Sequence, residues 1–306
     1  MICITWMNNN WIAIDWGTTN FRAFLMRGEQ CLSTLSRPCG LLAVEKNRFA
    51  DTLKTLLQPW LADQGALPVV MAGMVGSQQG WHEVAYLPQP CGLKSLAAGA
   101  MAFTTDWGSP AWIIPGVRGQ GLAQQPEVMR GEEVQLLGLP RLHPAAQCLA
   151  ILPGTHSKHV QLNHREIGRF STFMTGELFS LLSRHSILGN ALPEQQEDAQ
   201  AFMLGANTAR TGAPFSHLIF SARTRRLSGE IAAANIHSYL SGLLIGYELH
   251  ALPTHQSIWV VASPSLIARY QMAAEPLGLS LRAADGDSCF INGLSQLYPL
   301  LQGTAQ

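Results

Sequence analysis

An α/β fold in two lobes is predicted by three observations. Strand and helix signals alternate along all 306 residues, a proline-punctuated stretch interrupts them once, and one strand, Gly-Thr turn, strand unit opens each half. Short apolar runs rich in β-branched and aromatic residues mark strands at 11–16, 21–26, 68–72, 111–114, 148–152, 159–162 and 258–262. Apolar residues at helical spacing predict helices over 49–62, 127–138, 175–188, 229–249 and 263–277. At Leu139-Pro140-Arg141-Leu142-His143-Pro144 a helix is expected to stop at the prolines before the strand CLAILPG begins. The predicted lobes are therefore residues 1–142 and 143–306, with the last helix free to pack back on the first lobe. Segment 189–200, GNALPEQQEDAQ, is polar and locally acidic and reads as a solvated loop.

A composition of 47% hydrophobic and 13% charged residues suits a chain with a full core. The formal net charge is zero, so no global field draws the protein to nucleic acid or to an anionic membrane, and a small-molecule ligand is expected instead. No 18-residue apolar run suggests a membrane span. The start, MICITWM, lacks a basic segment and is too short for an export signal. Six scattered cysteines form no C-x-x-C pair, as expected of free thiols in the cytoplasm. The apolar final helices could face their own core or a second copy, which leaves a homodimer open.

The chemistry concentrates in the two turns. In IAIDWGTTNFRAFLM a strand ends on Asp15 and Trp16, turns through Gly17, Thr18 and Thr19, and returns as a strand carrying Arg22. In LAILPGTHSKHVQL, residues 149–162, a strand turns through Gly154 and Thr155 and returns with Ser157 and Lys158. Such tips offer backbone N–H groups and hydroxyls with little bulk, and they can cradle phosphate. Two on opposing lobes would hold the phosphates of one nucleotide, and Asp15 would face a magnesium ion through water. A plain hairpin turn explains either copy alone.

These residues resemble a known superfamily. Asp15-Trp16-Gly17-Thr18-Thr19-Asn20-Phe21-Arg22 is similar to the first phosphate motif of actin-like ATPases and sugar kinases, and Pro153-Gly154-Thr155-His156-Ser157-Lys158 to the second. The acid often found in the second motif is replaced by Leu152 or Pro153, as in carbohydrate kinases. Gly131-Glu132-Glu133-Val134-Gln135-Leu136-Leu137-Gly138 resembles the helix that carries the catalytic aspartate of glycerol and xylulose kinases. Met74-Val75-Gly76-Ser77-Gln78-Gln79-Gly80-Trp81 resembles their sugar loop. With AIDWGTTNFRA, IIPGVR, VMRGEEVQLLG, LPGTHSKHV, FMTGELFSLLSRHSIL and SGLLIGYEL, the set is similar to the 2-dehydro-3-deoxygalactonokinase family over most of the chain.

The resemblance implies two ribonuclease H-like lobes with an ATP and substrate cleft between them. It implies ATP-dependent phosphorylation of the C6 hydroxyl of 2-dehydro-3-deoxy-D-galactonate, with magnesium, in galactonate catabolism. Glu132 stands at the position of the family's aspartate and is the first candidate for the catalytic base, with Glu133 the alternative. Adjacent glutamates point about 100° apart on a helix, so they cannot share one role. Asp15 would serve magnesium, and Gly17, Thr18, Thr19, Gly154, Thr155 and Ser157 the phosphates. Arg22 would steady the phosphates or the hairpin, and Lys158 would face the transferred group or solvent. Gly76, Ser77, Gln78 and Gln79 would meet sugar hydroxyls, with Trp81 closing an apolar side. Either Arg118 or Arg130 would take the substrate carboxylate.

The adenosine end is the least marked. The superfamily's Gly-Gly turn is replaced by Val261-Ala262-Ser263-Pro264-Ser265, which places nucleotide contacts at Ala262, Ser263 and Ser265. His156 and His159 are not read as metal ligands, and His82 and His185 are expected to pack or cap. Rival readings are a kinase of the same fold for another sugar acid, and a phosphatase or nucleotide switch of the same superfamily. A serine hydrolase is excluded because Ser77 lies outside a G-x-S-x-G turn.

Overall fold

The computed structural model describes residues 9–45, 48–144, 147–250, 252–253 and 257–303. The start MICITWM and Cys3 lie outside the described residues. The chain separates into two compact units. The first holds residues up to Gln147, 161–170 and those from Gly286 onward; the second holds 148–160 and 171–285. The division falls a little beyond the expected 142/143, and the chain returns to the first unit twice.

The first unit opens with β1 (Asn10–Trp16), β2 (Phe21–Arg27) and β3 (Gln30–Arg37), followed by α1 (Phe49–Gln64) and β4 (Val69–Gly73). Then come β5 (Leu87–Pro88), α2 (Leu93–Ala98), β6 (Met101–Thr104), β7 (Pro110–Ile113), β8 (Val117–Gln120), β9 (Pro126–Met129) and α3 (Glu132–Leu142). Its main sheet has the order β3-β2-β1-β4-β7-β6, with β1 antiparallel to β2 and parallel to β4. β1 and β4 are buried on both faces, which is why they read as continuous apolar runs. β3, QCLSTLSR, is mostly exposed and carries no such signal, so the sequence reading passed over it.

The sheet's side chains alternate between two cores. Ile12, Ile14 and Trp16 pack with Leu53 and Leu57 of α1. α1 runs to a glycine with positive φ, Gly65, whose N–H closes the last turn on Leu61. Trp11 points the other way and stacks on Tyr298 at 4.5 Å.

The chain continues through β10 (Gln147–Leu152), β11 (Ser157–Asn163) and β12 (Glu166–Phe173), whose middle stretch 161–170 groups with the first unit, and then α4 (Thr175–His185), α5 (Ala199–Ala209), α6 (Phe215–Leu227) and α7 (Ile236–Leu249) of the second unit. It closes with β13 (Ile258–Ala262), α8 (Pro264–Ala274) and β14 (Leu281–Asp285), after which α9 (Gly286–Gly303) rejoins the first unit. The sheet order is β12-β11-β10-β13-β14. Position for position this repeats β3-β2-β1-β4-β7, so the short sequence echo at the two Gly-Thr turns belongs to a repeated sheet. α5 and α7 cross with backbones in near contact: a Cβ on Gly205 would lie 2.1 Å from the Tyr239 carbonyl oxygen, and one on Gly242 2.0 Å from that of Phe202.

Three boundaries differ from expectation. Residues 126–129 are strand, and helix α3 starts only at Glu132. α3 also runs through Pro140 to Leu142; in its last turn the proline gives up only one hydrogen bond. α7 begins at Ile236, because Gly229 takes a positive φ and Ala233–Asn235 form a 3-10 turn. His185 is exposed in the last turn of α4 rather than packed, where a basic residue suits the helix dipole. No disulfide joins the five cysteines among the described residues.

α3 and α9 cross with glycine on both sides. A Cβ on Gly138 would lie 1.8 Å from the Cys289 carbonyl oxygen, and one on Gly293 2.0 Å from that of Val134. Gly293→Ala should therefore lower the unfolding free energy by about 1–3 kcal/mol, overriding the ~1 kcal/mol that alanine gains in a helix. Urea unfolding at constant m-value measures it, and a variant as stable as the parent would mean that the helices separate without cost.

Candidate active site

Asp15 and Arg22 stand directly opposite each other in the β1–β2 register and form an ion pair; the same guanidinium also pairs with Asp287 in the first turn of α9. Of the two roles considered for Arg22, the structure displays the one that braces the hairpin. Burial pushes the Asp15 carboxyl above the ordinary aspartate range, against the pull of Arg22.

Beyond them the chain turns through exposed Thr18 and Thr19, and Gly17 N–H donates to the Asn20 carbonyl at 2.9 Å. The carbonyls of Gly17, Thr18 and Thr19 accept from the N–H groups of Leu41, Leu42 and Gly40 at 2.9, 3.1 and 3.0 Å. Gly40 lies so close beneath that a Cβ there would sit 2.4 Å from the Thr18–Thr19 peptide. Among the described residues no backbone partner takes the N–H groups of Thr18 and Thr19 at this exposed tip.

Gly73, at the end of β4, joins this turn to the rest of the first unit's site. With φ +97 it fits against the end of β1: a Cβ would lie 2.7 Å from the Trp16 carbonyl oxygen and 3.3 Å from Asp15 Oδ1. Gly131 approaches from the other direction with φ +110, its own Cβ position 3.2 Å from Gly73 Cα. Two residues that must be glycine thus bring Asp15, the start of the Met74–Trp81 loop and the N-terminus of α3 to one place.

At that helix start Glu132 Oε2 accepts from Arg130 N–H at 3.1 Å and is half-buried, whereas Glu133 is fully buried and accepts from Gly131 N–H at 2.7 Å. Burial, reinforced by neighbouring Glu132, pushes the Glu133 carboxyl up to about 8. The two glutamates therefore differ in burial and in the N–H group each accepts from.

The loop after β4 is compact: Trp81 N–H donates to the Val75 carbonyl at 2.9 Å and Val84 N–H to that of Gly76 at 3.0 Å. Gln78 and Gln79 are exposed, Gly76 and Ser77 buried. Trp81 is half-buried, edge-on to Phe103 at 5.0 Å and packed against the first unit's core. Arg130 is buried over the Tyr86 ring at 4.2 Å and donates to the Val84 carbonyl at 2.7 Å. Its Nε and Nη1, and Ser77 Oγ, are buried without a partner among the described residues. Arg118 is exposed on β8 opposite Val128, in a three-stranded sheet that contains neither β1 nor β4.

In the second unit, Gly154 and Thr155 form an exposed tip. Ser157 and Lys158 differ from expectation: both are buried, Ser157 Oγ donating to Glu248 at 2.7 Å and Lys158 Nζ to Thr172 Oγ1 at 2.8 Å. The two side chains leave the strand on opposite faces, Ser157 drawn to Glu248 and Lys158 to Thr172 on β12. His159 is buried 2.7 Å from Glu248, and His82 stacks on Trp81, so both pack as expected.

Near the tip a small cavity of about 110 Å³ is lined by Pro153, Gly154, Gly176 and Leu266, and it shares Phe179, Ser241 and Arg269 with a hollow of about 510 Å³. His237 and Met272 complete the apolar side of that hollow. Ala262 ends β13 buried; Ser263 and Ser265 are exposed at the start of α8, the helix that sends Arg269 and Met272 into the hollow. The hollow was not legible in sequence, because its walls come from α4, α5, α7 and α8 with no shared motif. Gly40 and Asp287 were missed for the same reason: each is distant in the chain from what it touches.

The sequence pattern of the family described as 2-keto-3-deoxy-galactonokinase matches residues 15–297. The chain belongs to this family. Over 295 residues it is 37% identical to the 2-dehydro-3-deoxygalactonokinase of Escherichia coli (strain K12), covering 95% of this chain and 98% of that one. A crystal structure from Sinorhizobium meliloti that bears the same kinase name superposes with a TM-score of 0.85 at 36% identity, over 97% and 98% of the two chains. The activator of the 2-hydroxyisocaproyl-CoA dehydratase from Clostridium difficile, solved with bound ADPNP, is alike in fold alone, with a TM-score of 0.50 and 10% identity over 96% of each chain. The fold is that of actin-like ATPases and sugar kinases, and the expected kinase family and phosphotransferase class are borne out.

The state of Glu133 is open to direct measurement. Folded, it keeps a proton that an ordinary glutamate releases near 4.5, so stability should be greatest below that pH and fall as pH rises from about 4.5 to about 8. Glu133→Gln cannot ionise and should lack this slope, gaining roughly a few kcal/mol on the parent at the alkaline end. Urea unfolding at pH 5 and 8.5 decides, and parallel profiles for the two proteins would show that Glu133 ionises normally.

Proposed function

We propose that this chain transfers the γ-phosphoryl group of ATP to the C6 hydroxyl of 2-dehydro-3-deoxy-D-galactonate, giving the 6-phosphate in galactonate catabolism. The observation that carries the reading is the meeting of Asp15, the Met74–Trp81 loop and the paired glutamates of α3 through Gly73 and Gly131. Phosphoryl transfer needs a positioned hydroxyl, a group to take its proton and stabilisation of phosphate charge, and each has residues here.

Glu132 takes the proton. A buried acid that is largely protonated at neutral pH is a poor acceptor, which leaves the role to its half-buried neighbour. Thr18 and Thr19 hold phosphate oxygens by N–H and hydroxyl, and exposed Gly154 and Thr155 do so on the second turn. Arg130 and Ser77 read the substrate carboxylate; a guanidinium with two buried nitrogens lacking acceptors, beside an unpaired hydroxyl, suits a planar anion better than exposed Arg118 does. Gln78 and Gln79 meet sugar hydroxyls.

Magnesium fits the first turn. Asp15 and Asp287 converge on one guanidinium and supply oxygen donors only, and magnesium is usually held by one or two carboxylates, with water and phosphate filling the rest. When bound, the ion neutralises charge on the β- and γ-phosphates. The adenosine end takes the hollow walled by Phe179, His237 and Met272, with Ala262, Ser263 and Ser265 at the rim of α8.

ADP release with ATP and magnesium, measured against 2-oxo-3-deoxy sugar acids, plain aldonates and free hexoses, tests the reaction. Activity should require the 2-oxo acid; ADP release indifferent to any sugar would point to a hydrolase instead. Glu132→Gln should lower kcat by about 10²–10⁴ with both KM values within a few-fold, and near-parental turnover would remove Glu132 as the base.

A further inference from the structure

α7, IHSYLSGLLIGYEL, is an apolar helix with a single acid, and that acid is only 2% exposed. A carboxylate taken out of water is tolerated where donors saturate it. Glu248 has four. Oε1 lies 2.7 Å from Ser157 Oγ and 2.7 Å from His159 Nε2; Oε2 lies 2.5 Å from Thr175 Oγ1 and 2.8 Å from the Tyr270 hydroxyl. The hydrogen bonds outweigh the cost of burial and hold the acid below the ordinary glutamate range.

The distribution of the four donors is informative. One oxygen takes both of its partners from β11; the other takes one from the first residue of α4 and one from α8. β11 and α4 are also the two elements that flank the Gly154–Thr155 tip. Ser157 is the first residue of β11 after it. α4 grips it from the side: Glu177 N–H donates to the Thr155 carbonyl at 2.9 Å, and a Cβ on Gly176 would lie 2.4 Å from the Gly154 carbonyl oxygen.

We propose that Glu248 is a positioning residue for the nucleotide: it ties the strand leaving the second phosphate turn to the helix bracing that turn, and so sets the turn's shape for ATP. The proposal rests on the reading of Gly154 and Thr155 as phosphate-binding. Glu248 touches no reacting group. Its effect travels through Ser157 and Thr175, and loss of either link lets the tip drift while the first unit's base and sugar loop stay as they are.

Glu248→Gln replaces one acceptor oxygen by a donor and breaks one side of the tie. The KM for ATP should rise about tenfold, while the KM for the sugar acid and kcat at saturating ATP stay within about threefold. Thr175→Val, which removes one link with little change of shape, should raise the KM for ATP several-fold, and the double variant should be no worse than Glu248→Gln, since both act on the same tie. A lowered melting temperature with parental KM for ATP in both variants would make the carboxylate a core-stabilising group and overturn the proposal. Equal rises in both KM values would overturn it too. If Glu248→Gln does not fold, Thr175→Val decides by the same split. Failure of the parent protein to bind a nonhydrolysable ATP analogue in calorimetry would remove the phosphate reading, and this proposal with it, a result distinct from an unchanged variant.

Discussion

Main-chain N–H groups can hold a phosphate only where the space above the turn is empty, and an empty-topped turn must be braced from below. Both Gly-Thr turns meet this requirement with backbone rather than with side chains. Gly40, Leu41 and Leu42 donate to the three carbonyls of the first turn, and the first turn of α4 holds the carbonyl of Thr155 in the second. A peptide braced through its carbonyls keeps its N–H edge outward, and it offers that edge to a ligand without reorganising. The glycines beneath are the condition for this: a methyl group on Gly40 or Gly176 would occupy the place of the braced peptide. The same economy extends to Gly73 and Gly131, whose contact sets α3 against the end of β1.

Three buried or half-buried acids show how environment divides labour among carboxylates. Asp15 keeps a cationic partner across the strand pair, and that partner is shared with Asp287. Glu133 accepts from its own N–H and that of Gly131 and has the Arg130 charge nearby, yet burial, with Glu132 beside it, wins. Glu248 is comparably buried, yet four donors reverse the outcome. Burial raises Asp15 despite its cation and Glu133 despite its N–H groups, and only the saturated Glu248 of the three lies below the ordinary range.

Much of the fold was legible because buried strands and amphipathic helices leave periodic apolar patterns. All seven strands read from apolar runs are present, and so are the cores of the five helices. Helices α5 and α6 escaped, and among strands and site residues what escaped was mostly polar or remote. β3 and β12 are edge strands with exposed residues and no apolar run. Among site residues, those on a turn or helix start could be named from local spacing, but the direction of a side chain could not: Ser157 turns inward to Glu248, 91 residues on, and Lys158 to Thr172 on the next strand. Asp287 lies 265 residues from the arginine it pairs with. Glu248 did leave a mark, a lone acid inside GLLIGYEL, and a charge in an otherwise buried helix is a reason to look for saturating donors.

The repeated sheet order makes the difference between the two turns more telling than their likeness. Aligning Gly17 with Gly154 sets Asp15 opposite Leu152, so the strand that ends on an acid in the first unit ends on an apolar residue in the second. The returning strands differ to match: β2 offers Arg22 to Asp15, whereas β11 turns Ser157 and His159 into the core toward Glu248. A metal ligand at the second tip would stand without the cation that balances Asp15 when no metal is present. The second turn keeps its charge in a pair beside the tip, His156 with Glu177, whereas the first has an acid on the strand that enters it. The duplicated scaffold thus sets that acid in the unit that also carries the glutamates of α3 and the loop after β4.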